Sequence, residues 1–178
     1  LGVGPITILV SEGPFAGIAV ENTVPPSFIV SPKAFEGMSQ DECRFLIGRY
    51  MEHIGSRYFI SKKLSSGETW ELLCVMARAL ELDVDIPGKS DDVLQKKLKD
   101  ARKIISRKNK KFLEDAAKEF LKVYKKFDFQ AHLRAQAFTA NRAGLLTCNE
   151  LRSSLSAMAK TDKRFKGLDV KNPQSLRE

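Results

Sequence analysis

Apolar residues along this 178-residue chain follow two different periods. Up to residue 37 they come in short β-branched runs separated by Gly and Pro. The runs are 6–10 (ITILV) between Gly4-Pro5 and Gly13-Pro14, 16–21 (AGIAVE), and 27–30 (SFIV) just after Pro25-Pro26. This pattern predicts three short strands in a small mixed or antiparallel sheet rather than repeated βαβ units. Residues 32–37 read as a single helical turn closed by Gly37.

From Ser39 onward the spacing changes to three and four, the period of helices pressed onto a core. Ser39 with Glu42 makes a capping box in sequence terms. Cys43, Leu46, Ile47, Tyr50 and Ile54 then continue a helix over 39–59. A second helix starts at Ser66 or Gly67, passes through Trp70, Leu73, Ala77 and Leu80, and is ended by Asp85-Ile86-Pro87-Gly88. Ser90 caps a third, with Leu94, Leu98, Ala101 and Ile105 inward and a break near Asn109. A fourth buries Leu113, Ala117, Phe120 and Tyr124, and residues 127–129 connect it to a helix over 130–146 through Leu133, Phe138 and Leu145. Asn149 caps a last helix, 150–160, with Leu151, Leu155 and Met158 inward, and the polar stretch beyond Lys166 is expected to fray. The expected fold class is α+β, a small N-terminal sheet packed on a predominantly helical domain. One domain is expected over 1–165, strand-rich in 1–37 and helical in 39–160, with a polar C-terminal tail over 166–178.

Composition narrows the class. A hydrophobic share of 43% and a charged share of 29% are ordinary for a globular chain. No apolar run approaches the ~20 residues of a membrane span, and no signal-peptide pattern opens the chain. Without an initiator Met, the sequence reads as a domain of a longer protein. Cys43, Cys74 and Cys148 are odd in number and widely spaced. That pattern points to a reducing, cytoplasmic setting with buried thiols, and away from a disulfide framework or a structural zinc site.

The helix over 39–59 carries the most pointed pattern. Arg49 and His53 stand one turn apart on one face. Two histidines at that spacing, with a glutamate after the first, would form a zinc peptidase HExxH motif, in which both imidazoles reach one ion and the glutamate takes a proton from bound water. Here the five positions read Arg49, Tyr50, Met51, Glu52, His53. Arginine cannot ligate a cation, tyrosine is no base at neutral pH, and a single imidazole does not hold a metal.

The surroundings of this helix nevertheless resemble the gluzincin-type zinc endopeptidases, the group that includes the heat-shock and CAAX-prenyl proteases. Those proteins set a strand, an irregular hairpin and a second strand before the capped HExxH helix, and residues 6–37 followed by 38–46 look like that prelude. The resemblance resumes at 138–145 (FTANRAGL), similar to the family's EADRxG segment. It implies that the third zinc ligand falls on Thr139 and the family aspartate on Asn141, whereas Arg142 and Gly144 match. It covers 6–59 and 138–146, under half of the chain. What it implies is a metallopeptidase-like fold whose degenerate active-site positions are Arg49, Tyr50, His53, Thr139, Asn141 and Arg142, with no metal, no cofactor and no hydrolysis by this route.

Net charge is +8, and residues 96–111 alone hold nine basic side chains against one acid, Asp100. The local charge of this segment therefore equals that of the whole chain. Lys96, Lys97, Lys99, Arg102, Lys103, Arg107 and Lys110 on one basic helix form a possible anion or partner contact, nucleic acid included. Against nucleic acid, aromatic residues are absent from the run until Phe112, and no DNA- or RNA-binding signature accompanies it. Other candidates fail on spacing. Gly88-Lys89-Ser90 lacks the earlier glycine of a phosphate loop, since position 83 is Asp83. Cys43 and His53 lie about 15 Å apart along one helix, too far for proton transfer. His132 near Arg134 has no nearby histidine or cysteine.

The expectation is a pseudo-peptidase domain that acts as an interaction or regulatory module. Its partner is another protein or other domains of the parent chain, bound in a groove between the second strand and the Arg49/His53 helix, or else the groove is closed by Tyr50. A nucleic-acid-associated domain using 96–111 is the alternative, and an active peptidase with unconventional ligands comes last.

Overall fold

A computed structural model describes residues 4–15, 17–86, 91–162 and 165. The class is α+β: three four-residue strands near the N-terminus and a helical majority. Strands β1 (Thr7–Val10), β2 (Ile18–Glu21) and β3 (Ser27–Val30) form a mixed sheet in the order β1-β3-β2, β3 running parallel to β1 and antiparallel to β2. Ile18 stands opposite Val30 and Val20 opposite Phe28, while Thr7 pairs in register with Ser27. Ala16, Gly88, Ser90 and the stretch from Lys166 onward, to which the sequence pattern assigns a strand start, a helix stop, a cap and a tail, lie outside the described residues.

A 3₁₀ turn, Pro32–Phe35, leads to Gly37 at φ +68, a conformation open to glycine. Helix α1 (Gln40–Gly55) then begins with the full capping box, in which the Ser39 hydroxyl accepts from the Glu42 N–H and the Glu42 carboxylate accepts from the Ser39 N–H. It stops four residues before the expected Phe59. Arg57 takes a left-handed conformation (φ 57), the Arg57 N–H donates to Ile54 and the Tyr58 N–H donates to the carbonyl of His53. These are the two bonds of a Schellman motif, closed without glycine.

Helices α2 (Ile60–Lys63), α3 (Ser66–Ala79), α4 (Asp91–Ile104) and α5 (Arg107–Val123) follow, then a 3₁₀ turn at Tyr124–Lys126, α6 (Phe129–Cys148) and α7 (Leu151–Thr161). A second capping box, Ser65 with Glu68, starts α3. The basic stretch is two helices rather than one, and the break falls at residues 105–106 instead of Asn109. Ile105 turns toward the core beside Leu98, and Ser106 takes the extended conformation (φ −82, ψ 157) of an N-cap. The cap of α7 is Glu150, whose carboxylate accepts from the N–H groups of Arg152 and Ser153, while Asn149 sits just outside at φ 53. Leu151, expected inward, is exposed, and so are Leu73 and Phe138 on their helices.

Contacts divide the chain into two compact units: Leu1–Phe59 with Arg134–Glu178, and Ile60–Leu133. In unit 1, Val20 and Phe28 of the sheet pack on Ile54 of α1 and on Phe59. The opposite side of α1 places Phe45 and Leu46 against Cys148 of α6 and Ala157 of α7. Here α1 and α6 touch at their backbones. A Cβ on Gly144 would lie 2.7 Å from the Phe45 carbonyl oxygen, and one on Gly48 would run into the Thr147 side chain. In unit 2, Val75 and Ala79 of α3 pack on Leu98 and Ala101 of α4. Cys74 and Ala77 of the same helix, with Val84, meet Ala117 and Phe120 of α5 and Tyr124 of the 3₁₀ turn that follows it. Phe127 and Phe129, which the sequence pattern leaves as a mere connector, bring their rings to 6.4 and 6.1 Å from Trp70.

Candidate functional site

Helix α1 holds Arg49 and Tyr50 side by side and His53 one turn further on, and each side chain has a defined surrounding. The Arg49 guanidinium lies 3.9 Å from the carboxylate of Asp162, just past α7, and both side chains are about 14% exposed or less. The Arg49 cation is therefore matched by a carboxylate distant in the chain. His53 is buried at 1% exposure, its ring 5.8 Å from Tyr50 and 6.3 Å from Tyr58. Burial pushes the Tyr50 phenol up from its ordinary value; Arg49 pulls it down and Asp162 raises it further. The phenol is thus neutral across the physiological range.

On α6 the Thr139 hydroxyl donates to the carbonyl of Ala135, one turn back on its own helix. Asn141 keeps its side-chain oxygen buried without a hydrogen-bond partner among the described residues, and Arg142 points to solvent. No group of three His, Cys, Asp or Glu side chains stands close enough to share an ion among the described residues.

Beside α1 runs an open cavity of about 420 Å³. Gly17 and Ile18, Leu46 and Tyr50 of α1, and Gly37, Met38 and Lys160 are among the residues that line it. Strand β2 is an edge of the sheet among the described residues. The Ser31 N–H donates to the Gly17 carbonyl and the Ser11 N–H to the Val30 carbonyl. In an antiparallel ladder successive residues alternate between facing the partner and facing away. Gly17, Ala19 and Glu21 therefore turn their backbone groups to β3, and Ile18, itself a lining residue of the cavity, and Val20 turn theirs away from β3.

Lys160, one of the lining residues, is bonded to Glu42, which sequence reading takes only as half of a capping box. Glu42 is 5% exposed and collects the Ser39 N–H, the Ser156 hydroxyl and the Lys160 ammonium, which also donates to the Gly37 carbonyl at 2.8 Å. Burial raises its pKa, but the bonds from Lys160, Ser156 and Ser39, with the charge of Lys160, outweigh this and hold it below 4.5. Ser156 and Lys160 lie more than a hundred residues beyond Glu42, so no local motif announces them.

The basic residues distribute over two helices. Lys96, Lys97, Lys99, Arg102 and Lys103 sit on α4, Arg107 and Lys110 on α5. Lys97 bridges to Glu71 of α3 at the rim of an apolar cavity of about 370 Å³ between α3 and α4. Lys103 pairs with Asp100 and Lys110 with Glu114. No described helix is long and apolar enough to cross a membrane. Comparison of the chain with protein-family models, curated proteins and solved structures returned no match.

Proposed function

We propose that unit 1 is a metallopeptidase-like, non-catalytic interaction module of a cytoplasmic protein, which takes an extended segment of a partner polypeptide, or of another domain of the parent chain, onto the β2 edge. The observation that carries this reading is the outward-facing backbone of Ile18 beside the open cavity under Tyr50. An added strand gains main-chain hydrogen bonds from an edge and specificity from a pocket for alternate side chains, and it needs no metal. The non-catalytic part rests on Arg49, already matched by Asp162, at the first ligand position, on the neutral Tyr50 phenol at the base position, and on Thr139 at the third ligand position.

The test uses a reduced, alkylated, unfolded carrier protein as probe. Its addition should slow amide hydrogen exchange at Ile18 and Val20. Ile18→Pro, which removes an N–H that β3 does not use, should abolish the effect while far-UV circular dichroism is unchanged. Cleavage of the probe, or one tightly held zinc per chain by elemental analysis, would refute the non-catalytic reading; unchanged exchange at both amides would refute the groove.

A further inference from the structure

The corner where α4 meets α5 belongs to unit 2 and has no part in the β2 groove. Between Asp100 and Glu114 the chain carries six basic residues and no acid. Of residues 102–112 only Ile105 is half-buried, and all the others are exposed. Asp100 holds Lys103 and Glu114 holds Lys110, while Arg102, Arg107, Lys108 and Lys111 form no ion pair among the described residues. Two large apolar side chains stand among these cations: Ile104, the last residue of α4, 71% exposed, and Phe112, in the second turn of α5, 74% exposed. Lys108 and Phe112 are one turn apart and share a face of α5, as do Arg107 and Lys111.

A phosphate backbone is satisfied by the cations alone and makes no use of an aliphatic side chain. A stacking platform for bases needs successive aromatic rings, and this corner has one. The headgroup layer of a bilayer uses both halves of the pattern: apolar side chains enter the acyl boundary, and long Lys and Arg stems reach back to the phosphates. We propose that the α4–α5 corner docks on an anionic lipid surface, with Ile104 and Phe112 inserted and Arg102, Arg107, Lys108 and Lys111 on the headgroups. The anionic face of the lipid complements the unpaired cations, and the hydrocarbon boundary receives the two exposed apolar residues.

The experiment is sedimentation of the full chain with vesicles of phosphatidylcholine alone and of phosphatidylcholine with phosphatidylserine. Binding should require phosphatidylserine and weaken with salt. Each basic residue near such a surface is worth about fivefold in affinity, so Arg107→Gln/Lys111→Gln should weaken binding more than tenfold. Ile104→Ser/Phe112→Ser should also weaken it about tenfold, leaving the salt dependence in place. Emission from Trp70, which lies in unit 2, and circular dichroism check that both variants fold; the altered side chains are exposed. Equal binding to both vesicle types, no binding, or an unchanged Ile104→Ser/Phe112→Ser variant overturns the proposal. An oligonucleotide that displaces the chain from vesicles and binds independently of Ile104 and Phe112 also overturns it, and assigns the corner to nucleic acid.

Discussion

The two units solve the problem of a stable interior by different means. Unit 2 is an arrangement of amphipathic helices: Leu98 and Ala101 of α4 on Val75 and Ala79 of α3, and Phe120 of α5 with Tyr124 just beyond it around Cys74 and Ala77, with charge kept outside. Unit 1 buries polar groups and lets backbones meet. Glu42 and His53 are 5% and 1% exposed, and Gly48 and Gly144 bring α1 and α6 into contact. An apolar stripe tolerates changes of shape, whereas a buried carboxylate or a backbone contact has only one acceptable neighbour. Single substitutions should therefore cost more in unit 1 than in unit 2, and the contrast can be tested in both directions.

The largest effect is expected at Gly144. A methyl group there would lie 2.7 Å from the Phe45 carbonyl and 2.8 Å from its ring, so a backbone must move. Gly144→Ala should lower stability by about 3 kcal/mol in urea unfolding followed by far-UV circular dichroism. A loss below about 1 kcal/mol, the ordinary scale of a point mutant, would mean that α1 and α6 do not meet as described.

Next comes the Glu42 hub. Lys160→Met strands a buried carboxylate, but the Lys160 side chain is 41% exposed, which tempers the loss to about 2 kcal/mol. The pH dependence gives an independent reading. Because the folded pKa of Glu42 lies below 4.5, its contribution is complete above that pH and is lost as pH falls from 4.5 through the folded value. In the Lys160→Met variant burial is opposed by fewer bonds, so the acid limb of the stability profile should flatten. An acid limb identical to that of the parent chain would remove Glu42 from the account.

The same contrast explains what could be read from the amino-acid order. The stripe of Leu94, Leu98, Ala101 and Ile105 is legible because one period decides it, and so is the box of Ser39 with Glu42, since both partners are three residues apart. The boundary between α4 and α5 is less so. Lysine and arginine are good helix formers and mask a stop at which Ser106 takes an extended conformation. The short α2 and the aromatic packing of Phe127 and Phe129 on Trp70 give no periodic signal at all. At the candidate site, Arg49, Tyr50 and His53 stand out as a local motif. Their partners Asp162 and Tyr58, and the Ser156 and Lys160 that gather on Glu42, are matters of tertiary contact. The packing of Gly144 on Phe45 of α1 is likewise a tertiary contact between segments about a hundred residues apart, which no local pattern announces.

In unit 2 a glycine should behave in the opposite way. Gly67, in the first turn of α3, has open space where a Cβ would go and no positive φ. Gly67→Ala should stabilise by about 0.5–1 kcal/mol, by narrowing the unfolded ensemble and favouring helix. Trp70, three residues on and the only tryptophan of the chain, reports the change by its emission. Destabilisation there would erase the distinction between the glycines of the two units.

The smallest effect belongs to the surface charges of unit 2. Lys103 reaches Asp100 at 2.9 Å, a shorter contact than the 3.9 Å between Arg49 and Asp162, yet its side chain is 64% exposed and that of Asp100 55%. Distance alone would rank the Lys103 pair as the stronger. Exposure reverses the order, because water screens the attraction and both side chains give up rotamer freedom to form it. Lys103→Ala should therefore change stability by less than about 0.5 kcal/mol. Asp162→Ala, which leaves the largely buried Arg49 without that carboxylate, should cost roughly 1–3 kcal/mol. Urea unfolding of the two variants side by side decides the matter. Should the Lys103 variant lose as much as the Asp162 variant, burial would not be what separates the electrostatics of the two units, and the ranking by exposure would have to give way to ranking by distance.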